Sequence, residues 1–172
     1  MADEYWLKGL HFSCQQCSAC CRHVPGFVFL AKNDILNLIQ YLDCTLPDFL
    51  AKYVRKIDIG TGFRLSLTET SAFDCIFWSP KGCMVYSARP VQCRTYPFWK
   101  GIPEHQSSWQ AEAADCPGIN KGPLVPAESI REAFWLRRLH TPVELPYDLA
   151  LEDLDENSFL GSERFNPDTT DT

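Results

Sequence analysis

The chain has 172 residues, of which 45% are hydrophobic, so it suits one globular domain that can bury its own core. No stretch approaches the roughly 18 to 20 apolar residues that cross a bilayer. No basic stripe with interleaved aromatic residues is present, which argues against a nucleic-acid surface. The net charge of −6 is uneven, because residues 141–172 contribute −8 and residues 1–140 contribute +2. Composition therefore predicts a near-neutral body, residues 1–140, and an acidic, poorly ordered tail, residues 141–172.

The nine cysteines raise the question of compartment. The N-terminus has no long apolar run before a small-residue cleavage site, so no secretory signal is visible. A disulfide framework needs an oxidising compartment, and without a signal it is the weaker interpretation. We therefore expect a soluble, cytoplasmic protein whose reduced cysteines bind metal.

In chain order, a short strand or turn in residues 1–13 leads to a cysteine loop, Cys14-Gln-Gln-Cys17-Ser-Ala-Cys20-Cys21. Two residues between cysteines let a tight turn aim both sulfurs at one ion or cluster. The opening C-x-x-C-x-x-C is spaced like the start of a bacterial ferredoxin motif, but here the fourth cysteine follows at once. In an extended chain Cys20 and Cys21 point to opposite faces, so we expect them not to share an ion readily.

The next segments predict ordinary secondary structure. Residues 27–30 suit a buried strand, and Asn33 suits the N-cap of a helix over about 34–43. A second short helix is predicted near 47–55. Residues 57–68 alternate apolar and polar around a glycine turn and predict a hairpin. These segments supply most of the predicted core.

A second set of cysteines follows, and Cys44 is the odd one out, expected to fill a small apolar gap. A turn over residues 79–82 would bring Cys75 and Cys83 together across a hairpin. Cys93 falls on a short predicted helix between two prolines, and Cys116 precedes a Pro-Gly pair. Eight thiols in two sets of four match two four-cysteine sites, or one cluster site plus neighbours.

Two arginines flank Cys93. Arg89 and Arg94 could donate hydrogen bonds to cluster sulfurs or balance thiolate charge, as outer-shell groups do. The alternative is that they lock the fold by pairing with carboxylates such as Asp74 or Asp115. Sequence leaves both roles open, with the structural role favoured for Arg89.

The remainder of the chain is less informative. Residues 100–115 predict a loop and strand anchored by Trp109, and Gly118 and Gly122 allow tight turns around a ligand position. Residues 127–140 show helical spacing and end in basic side chains that suit the helix dipole. The predicted fold class is therefore α+β: a small single domain of short hairpins and about three helices organised around the cysteines.

The assembled residues resemble the CxxCxxCC cysteine-cluster family, bacterial zinc- or iron-chelating domains. Its motif opens with C-x-x-C-x-x-C-C, continues with G-C-x-x-Y-x-x-R-P-x-x-C-R-x-Y-P-F and ends with C-P-G. The matching residues, within about 14–118, are Cys14, Cys17, Cys20, Cys21, Gly82, Cys83, Tyr86, Arg89, Pro90, Cys93, Arg94, Tyr96, Pro97, Phe98, Cys116, Pro117 and Gly118. Cys75 matches the cysteine that usually precedes the second block. The resemblance implies metal binding and does not decide between iron and zinc. From their positions around Cys93, Arg89, Arg94 and Tyr96 are the candidate cofactor-contacting residues.

Three functions fit these observations. The first is an iron–sulfur protein with a redox or electron-transfer role, served by a protein partner or redox donor. The second is a zinc-stabilised binding module without catalysis. The third is a cluster-dependent protein-modifying enzyme, because a related cysteine-rich module is similar to one in flagellin lysine methylases. No phosphate-binding glycine loop, zinc-protease motif or serine triad indicates an enzyme of another kind.

Overall fold

The structure, a computed structural model, describes residues 4–154 and Phe159. Within these residues the fold is α+β, as predicted, with five α-helices and three small antiparallel sheets. The helices are α1 (Lys32–Leu42), α2 (Leu46–Tyr53), α3 (Val91–Thr95), α4 (Gln106–Glu112) and α5 (Ala127–Leu139). The strands are β1 (Leu10–Phe12), β2 (Val54–Asp58), β3 (Phe63–Leu67), β4 (Trp78–Ser79), β5 (Gly82–Cys83), β6 (Ile119–Val125) and β7 (Glu144–Leu145).

The first apolar cluster packs α1 and α2 against the sheet β2–β3–β7. The predicted hairpin is confirmed, with Val54 opposite Leu67 and the glycine turn between the strands. Helix α1 begins earlier than predicted, and Asn33 lies inside it. The reason is Asp34, whose carboxylate accepts a hydrogen bond from the Ala31 backbone N–H at 3.0 Å and so caps the helix start. The buried residues of this cluster are Leu30, Ile35, Leu38, Ile39, Leu46, Phe49, Leu50, Val54, Phe63, Leu65, Leu67, Phe77, Val85 and Phe159.

The segment predicted as a buried strand, residues 27–30, runs extended beside β3 but forms only an isolated bridge, from Phe29 to Ser66. The Leu30 N–H donates to the Leu65 carbonyl, and Phe27 is half exposed. The burial prediction therefore holds for Leu30 and is wrong for Phe27.

The second apolar cluster lies around the two-stranded sheet β1–β6 and includes helices α4 and α5. Trp109 is fully buried, as its predicted anchor role required, but it sits on helix α4 and not on a loop or strand. One large apolar residue in a polar segment gives no periodicity, so the sequence carried no helical signal there. The buried residues of this cluster are Trp6, Leu10, Phe98, Trp109, Cys116, Ile119 and Ile130.

The division of the chain at residue 140 stays a prediction. Past that point β7 pairs with β3 through Phe63 opposite Leu145, and Phe159 is buried in the first apolar cluster. The rest of residues 155–172 lies outside the described residues. Among the helices that the structure describes, none has the length and apolar character needed to cross a bilayer.

Candidate metal centre

The cysteine loop supplies four thiols, the loop set: Cys14, Cys17, Cys20 and Cys21. Its backbone turns through left-handed conformations at Gln16, Ser18 and His23, where φ is +51°, +63° and +70°. Non-glycine residues adopt positive φ at a cost, and such strain clusters at functional sites. The loop is therefore a built turn and not an extended segment.

The expectation that Cys20 and Cys21 point to opposite faces is wrong. Ala19–Cys21 form one turn of 3-10 helix, in which successive side chains are separated by about 120° instead of 180°. The two sulfurs lie 3.8 Å apart. Two thiolates bound at about 2.3 Å to one tetrahedral ion are separated by roughly the same distance.

Backbone contacts fix both ends of the loop. At its start the Ser13 N–H donates to the Gly118 carbonyl at 3.1 Å. A Cβ on Gly118 would lie 2.4 Å from the Ser13 carbonyl oxygen, and one on Gly122 would lie 2.4 Å from the Ser13 Cβ. At the other end the Cys75 N–H donates to the Cys21 carbonyl at 2.8 Å. The glycines predicted to allow tight turns thus permit the close approach that holds the loop next to the other cysteines.

Four further thiols, the scaffold set, come from short elements and the turns beside them: Cys75, Cys83, Cys93 and Cys116. The predicted hairpin is present as β4–β5, with Cys83 opposite Trp78. Cys93 lies in α3, the predicted short helix, and Cys116 follows α4 and is buried in the second apolar cluster. Cys44 is separate and packs against the first apolar cluster.

Both sets line three cavities of about 230, 140 and 510 Å³ at the boundary between the apolar clusters. Cys20 and Cys93 line all three and so occupy the centre of the group. The 140 Å³ cavity is lined by Cys14, Cys17, Cys20, Cys93 and Cys116. Cys21 and Cys75 meet Cys20 and Cys93 at the 230 Å³ cavity. Cys83 lines the 510 Å³ cavity.

Cysteines that are neighbours in space therefore come from different sets. Cys116, of the scaffold set, interacts electrostatically with Cys17 and Cys20 of the loop set. Cys21, of the loop set, interacts with Cys93 and Cys75. If two sites exist, they do not follow the order of the cysteines along the chain.

The surroundings lower the pKa of one of these thiols and raise the pKa of several others. A hydrogen bond from Cys21 to Cys20 lowers the pKa of Cys20 to about 7, against the opposing effect of burial. The same bond and burial raise the pKa of Cys21. Burial also raises the pKa of every member of the scaffold set, Cys75, Cys83, Cys93 and Cys116. Compared with Cys21 and the scaffold set, Cys20 is therefore the thiol that its surroundings favour as a thiolate.

Arg89 faces the cysteines. It stacks on the Tyr86 ring with its guanidinium carbon 3.5 Å from the ring centroid, and its Nε donates to the Tyr86 carbonyl at 2.7 Å. Its charge opposes the effect of burial on the pKa of Cys83. Within residues 4–154 neither Arg89 nor Arg94 forms an ion pair with a carboxylate, so the predicted alternative of a structural ion pair is not seen there.

Arg94 and Tyr96 also line the 140 Å³ cavity. The Tyr96 hydroxyl donates to the Glu112 carboxylate at 2.7 Å, and Tyr96 lines the same cavity as Cys116. Tyr96 therefore connects helix α4 to the cysteine group.

Sequence reasoning missed Arg22. Its guanidinium stacks on Trp78 at 3.6 Å from the ring centroid and pairs with Asp74 at 3.1 Å, so it links the end of the loop to the β4–β5 hairpin. The sequence suggests Asp74 as a partner for Arg89 or Arg94, but in the structure it pairs with Arg22. The available signal was the position of Arg22 directly after Cys21.

The donor set fits a thiophilic metal: eight thiols line adjoining cavities, and thiolates select zinc, copper(I) and iron–sulfur clusters. The coordination geometry is not preformed. In the part of the chain that the structure describes, no three His, Cys, Asp or Glu side chains stand close enough to hold one ion. Metal binding by these thiols would thus require them to draw closer together.

Comparison with known families agrees with this donor set. The sequence profile of the CxxCxxCC family, described as a "putative zinc- or iron-chelating domain", matches residues 13–117. The chain belongs to this family. The match covers more than half of the chain and contains all eight cysteines of the two sets but also Cys44, which packs elsewhere. The family description supports metal binding and leaves zinc and iron open. No solved structure matches the chain.

Proposed function

We propose that this protein holds an iron–sulfur cluster through thiolates of the loop and scaffold sets and serves a redox or electron-transfer role. The observation that carries the proposal is the number of thiols that line three neighbouring cavities. Eight cysteines line adjoining cavities of up to about 510 Å³, whereas a closed structural zinc site needs four ligands.

The chain's own residues would act in three ways. The thiols hold the group, and such a group supplies one-electron chemistry when bound. Arg89 would offset the negative charge of the Cys83 thiolate, and Arg94 lines the 140 Å³ cavity beside Cys93 and Cys116. Tyr96, through its bond to Glu112, ties the lining of the same cavity to helix α4. The lining of the 230 Å³ cavity also includes aromatic side chains, among them Phe27 and Trp99, beside the thiols.

A specific observation favours zinc as a second candidate. The 3.8 Å separation of the Cys20 and Cys21 sulfurs equals the spacing of two thiolates on one tetrahedral zinc ion, given Zn–S bonds of about 2.3 Å. In this interpretation Cys20 and Cys21 bind one structural ion, which stabilises the fold and provides no redox chemistry.

Anaerobic purification separates the candidates. Iron and acid-labile sulfide in a brown protein would support the iron–sulfur proposal. Zinc in a colourless protein without sulfide would overturn it and support the second candidate. A protein without either metal, after expression with both supplied, would contradict both.

A further inference from the structure

Arg137 lies on α5, where the sequence assigns it only to the helix dipole, but the structure points it inward. Its Nη1 is buried and has no hydrogen-bond partner among the described residues. Burial also lowers the pKa of Arg137. A buried, unpaired N–H is costly, and a guanidinium more so, which suggests that this donor is paired in the functional state of the protein.

The contacts of Arg137 lead towards Cys93. Its guanidinium carbon lies 5.1 Å from the centroid of the Trp99 ring. The Trp99 Nε1 donates to the carbonyl of Gln92, the residue before Cys93, at 2.9 Å. Trp99 and Cys93 line the same 230 Å³ cavity. Helices α3 and α5 pack together, so Arg137 sits behind the helix that presents Cys93.

Two acidic groups, Cys93 and Asp34, lie near enough to influence the pKa of Arg137. The Asp34 carboxylate is held at the starts of α1 and α3, where Oδ2 accepts from the Ala31 N–H at 3.0 Å and Oδ1 accepts from the Val91 N–H at 2.8 Å. Among the described residues the Cys93 sulfur accepts no hydrogen bond, so it has the capacity to accept one from Arg137, and it lies on α3, the helix that packs against α5.

We propose that Arg137 is a positioning residue of the cysteine centre, which donates its free N–H towards the Cys93 sulfur and offsets the charge of that thiolate when metal is bound. The inference rests on the proposed function, because it gives Arg137 its partner only in the loaded protein. Outer-shell donors of this kind typically change metal affinity about 10- to 100-fold.

A purely structural role would look different. If Arg137 served only to balance Asp34 and pack on Trp99, its replacement would destabilise the metal-free and loaded proteins equally. If it serves the centre, its replacement acts mainly on the loaded protein. The distinction needs a measurement on the metal itself.

The experiment compares wild type with R137Q, R137K and R138Q, all purified anaerobically with their metal. Arg138 is the matched control, because it is the next residue on the same helix and is exposed. The measurements are metal content, the rate at which excess chelator removes metal, and the melting temperature of each protein before and after metal removal.

We expect R137Q to lose metal about 10- to 100-fold faster than wild type and R138Q to match wild type. R137K should fall between them, since lysine keeps the charge but not the planar donor that stacks on tryptophan. The metal-free melting temperatures should agree.

If R137Q does not fold, faster metal loss from R137K supports the inference and a wild-type rate overturns it. Equal rates in R137Q and wild type, or equal destabilisation with and without metal, also overturn it. A wild type without metal contradicts the proposed function itself and is recognised by its metal content alone.

Discussion

The loop set and the scaffold set contribute four thiols each, but the fold holds them differently. Three of the loop cysteines are exposed, and only Cys21 is partly buried. In the scaffold set no cysteine is exposed: three are partly buried and Cys116 is buried. The loop is fixed at its ends, by Ser13 and by the Cys21 carbonyl, while the scaffold thiols follow or lie on packed helices and a hairpin. The scaffold thiols therefore belong to packed elements, whereas the loop thiols lie on an exposed turn that backbone hydrogen bonds hold at its two ends.

This difference predicts unequal roles in stability. Scaffold cysteines belong to the packed structure even without metal, so replacing them affects both metal binding and the metal-free fold. Loop cysteines contribute through metal alone, because few side-chain contacts hold them otherwise.

The largest effect is expected for Cys93→Ser. Cys93 lines all three cavities, so its loss removes a central thiol and most of the bound metal. The metal-binding free energy, on the order of 10 kcal/mol for a structural thiolate site, is then lost from the free energy of unfolding. We also expect the metal-free protein to lose about 1–3 kcal/mol, since a hydroxyl replaces a buried thiol. Metal content and urea unfolding test this, with Cys44→Ser as control. If Cys93→Ser kept the metal content of the wild type, Cys93 would not be a ligand of the metal.

The Cys17→Ser variant tests whether loop cysteines, unlike scaffold cysteines, contribute to stability only when metal is bound. It should release metal as Cys93→Ser does, but it should change the unfolding free energy of the metal-free protein by less than about 0.5 kcal/mol, because Cys17 is exposed. The same two measurements apply. A large loss of stability in the metal-free variant would mean that the loop is part of the packed fold, and the comparison between the sets would fail.

Asp34→Ala tests how the scaffold half is held. The carboxylate accepts backbone N–H groups at the starts of α1 and α3, the helix that carries Cys93. Its removal leaves two donors without a partner and should lower the free energy of unfolding by about 2–4 kcal/mol. Denaturant unfolding measures this loss, and Asp148→Ala, at an exposed position, should be near neutral. Equal stability of the two variants would contradict a capping role for Asp34.

Gly118→Ala tests how the loop is anchored. The new Cβ would lie 2.4 Å from the Ser13 carbonyl oxygen, so the start of the loop must move, at a cost of about 1–3 kcal/mol. We expect reduced stability and faster metal release. Gly26→Ala is the matched control, because a Cβ there meets nothing within 4 Å. If both variants release metal at the same rate, the contact with Ser13 does not hold the loop in place.

The sequence predicted the scaffold half better than the loop half. The β2–β3 hairpin, the β4–β5 turn, α3 and α5 follow from periodicity, proline and glycine, because these signals act over a few residues. The spacing of the cysteines and the family resemblance led us to expect that all eight thiols lie near one another. The sequence could not predict that Cys21 lines one cavity with Cys75 and that Cys17 lines another with Cys116, because this depends on contacts between segments far apart in the chain.

Two local predictions failed for identifiable reasons. The opposite orientation of Cys20 and Cys21 assumed an extended backbone, whereas a 3-10 turn brings the sulfurs to 3.8 Å. The α4 helix was missed because Trp109 is its only large apolar residue. In both places the tertiary structure overrides a weak local signal.

The central claim is that the thiols of both sets, and not Cys44, surround one metal-binding region. The most direct measurement is alkylation of each cysteine, followed by mass spectrometry, in the anaerobically purified protein before and after metal removal. The account predicts that the eight cysteines of the two sets become more reactive when metal is removed, while Cys44 does not change. Unchanged reactivity across either set, or the same change at Cys44, would contradict it.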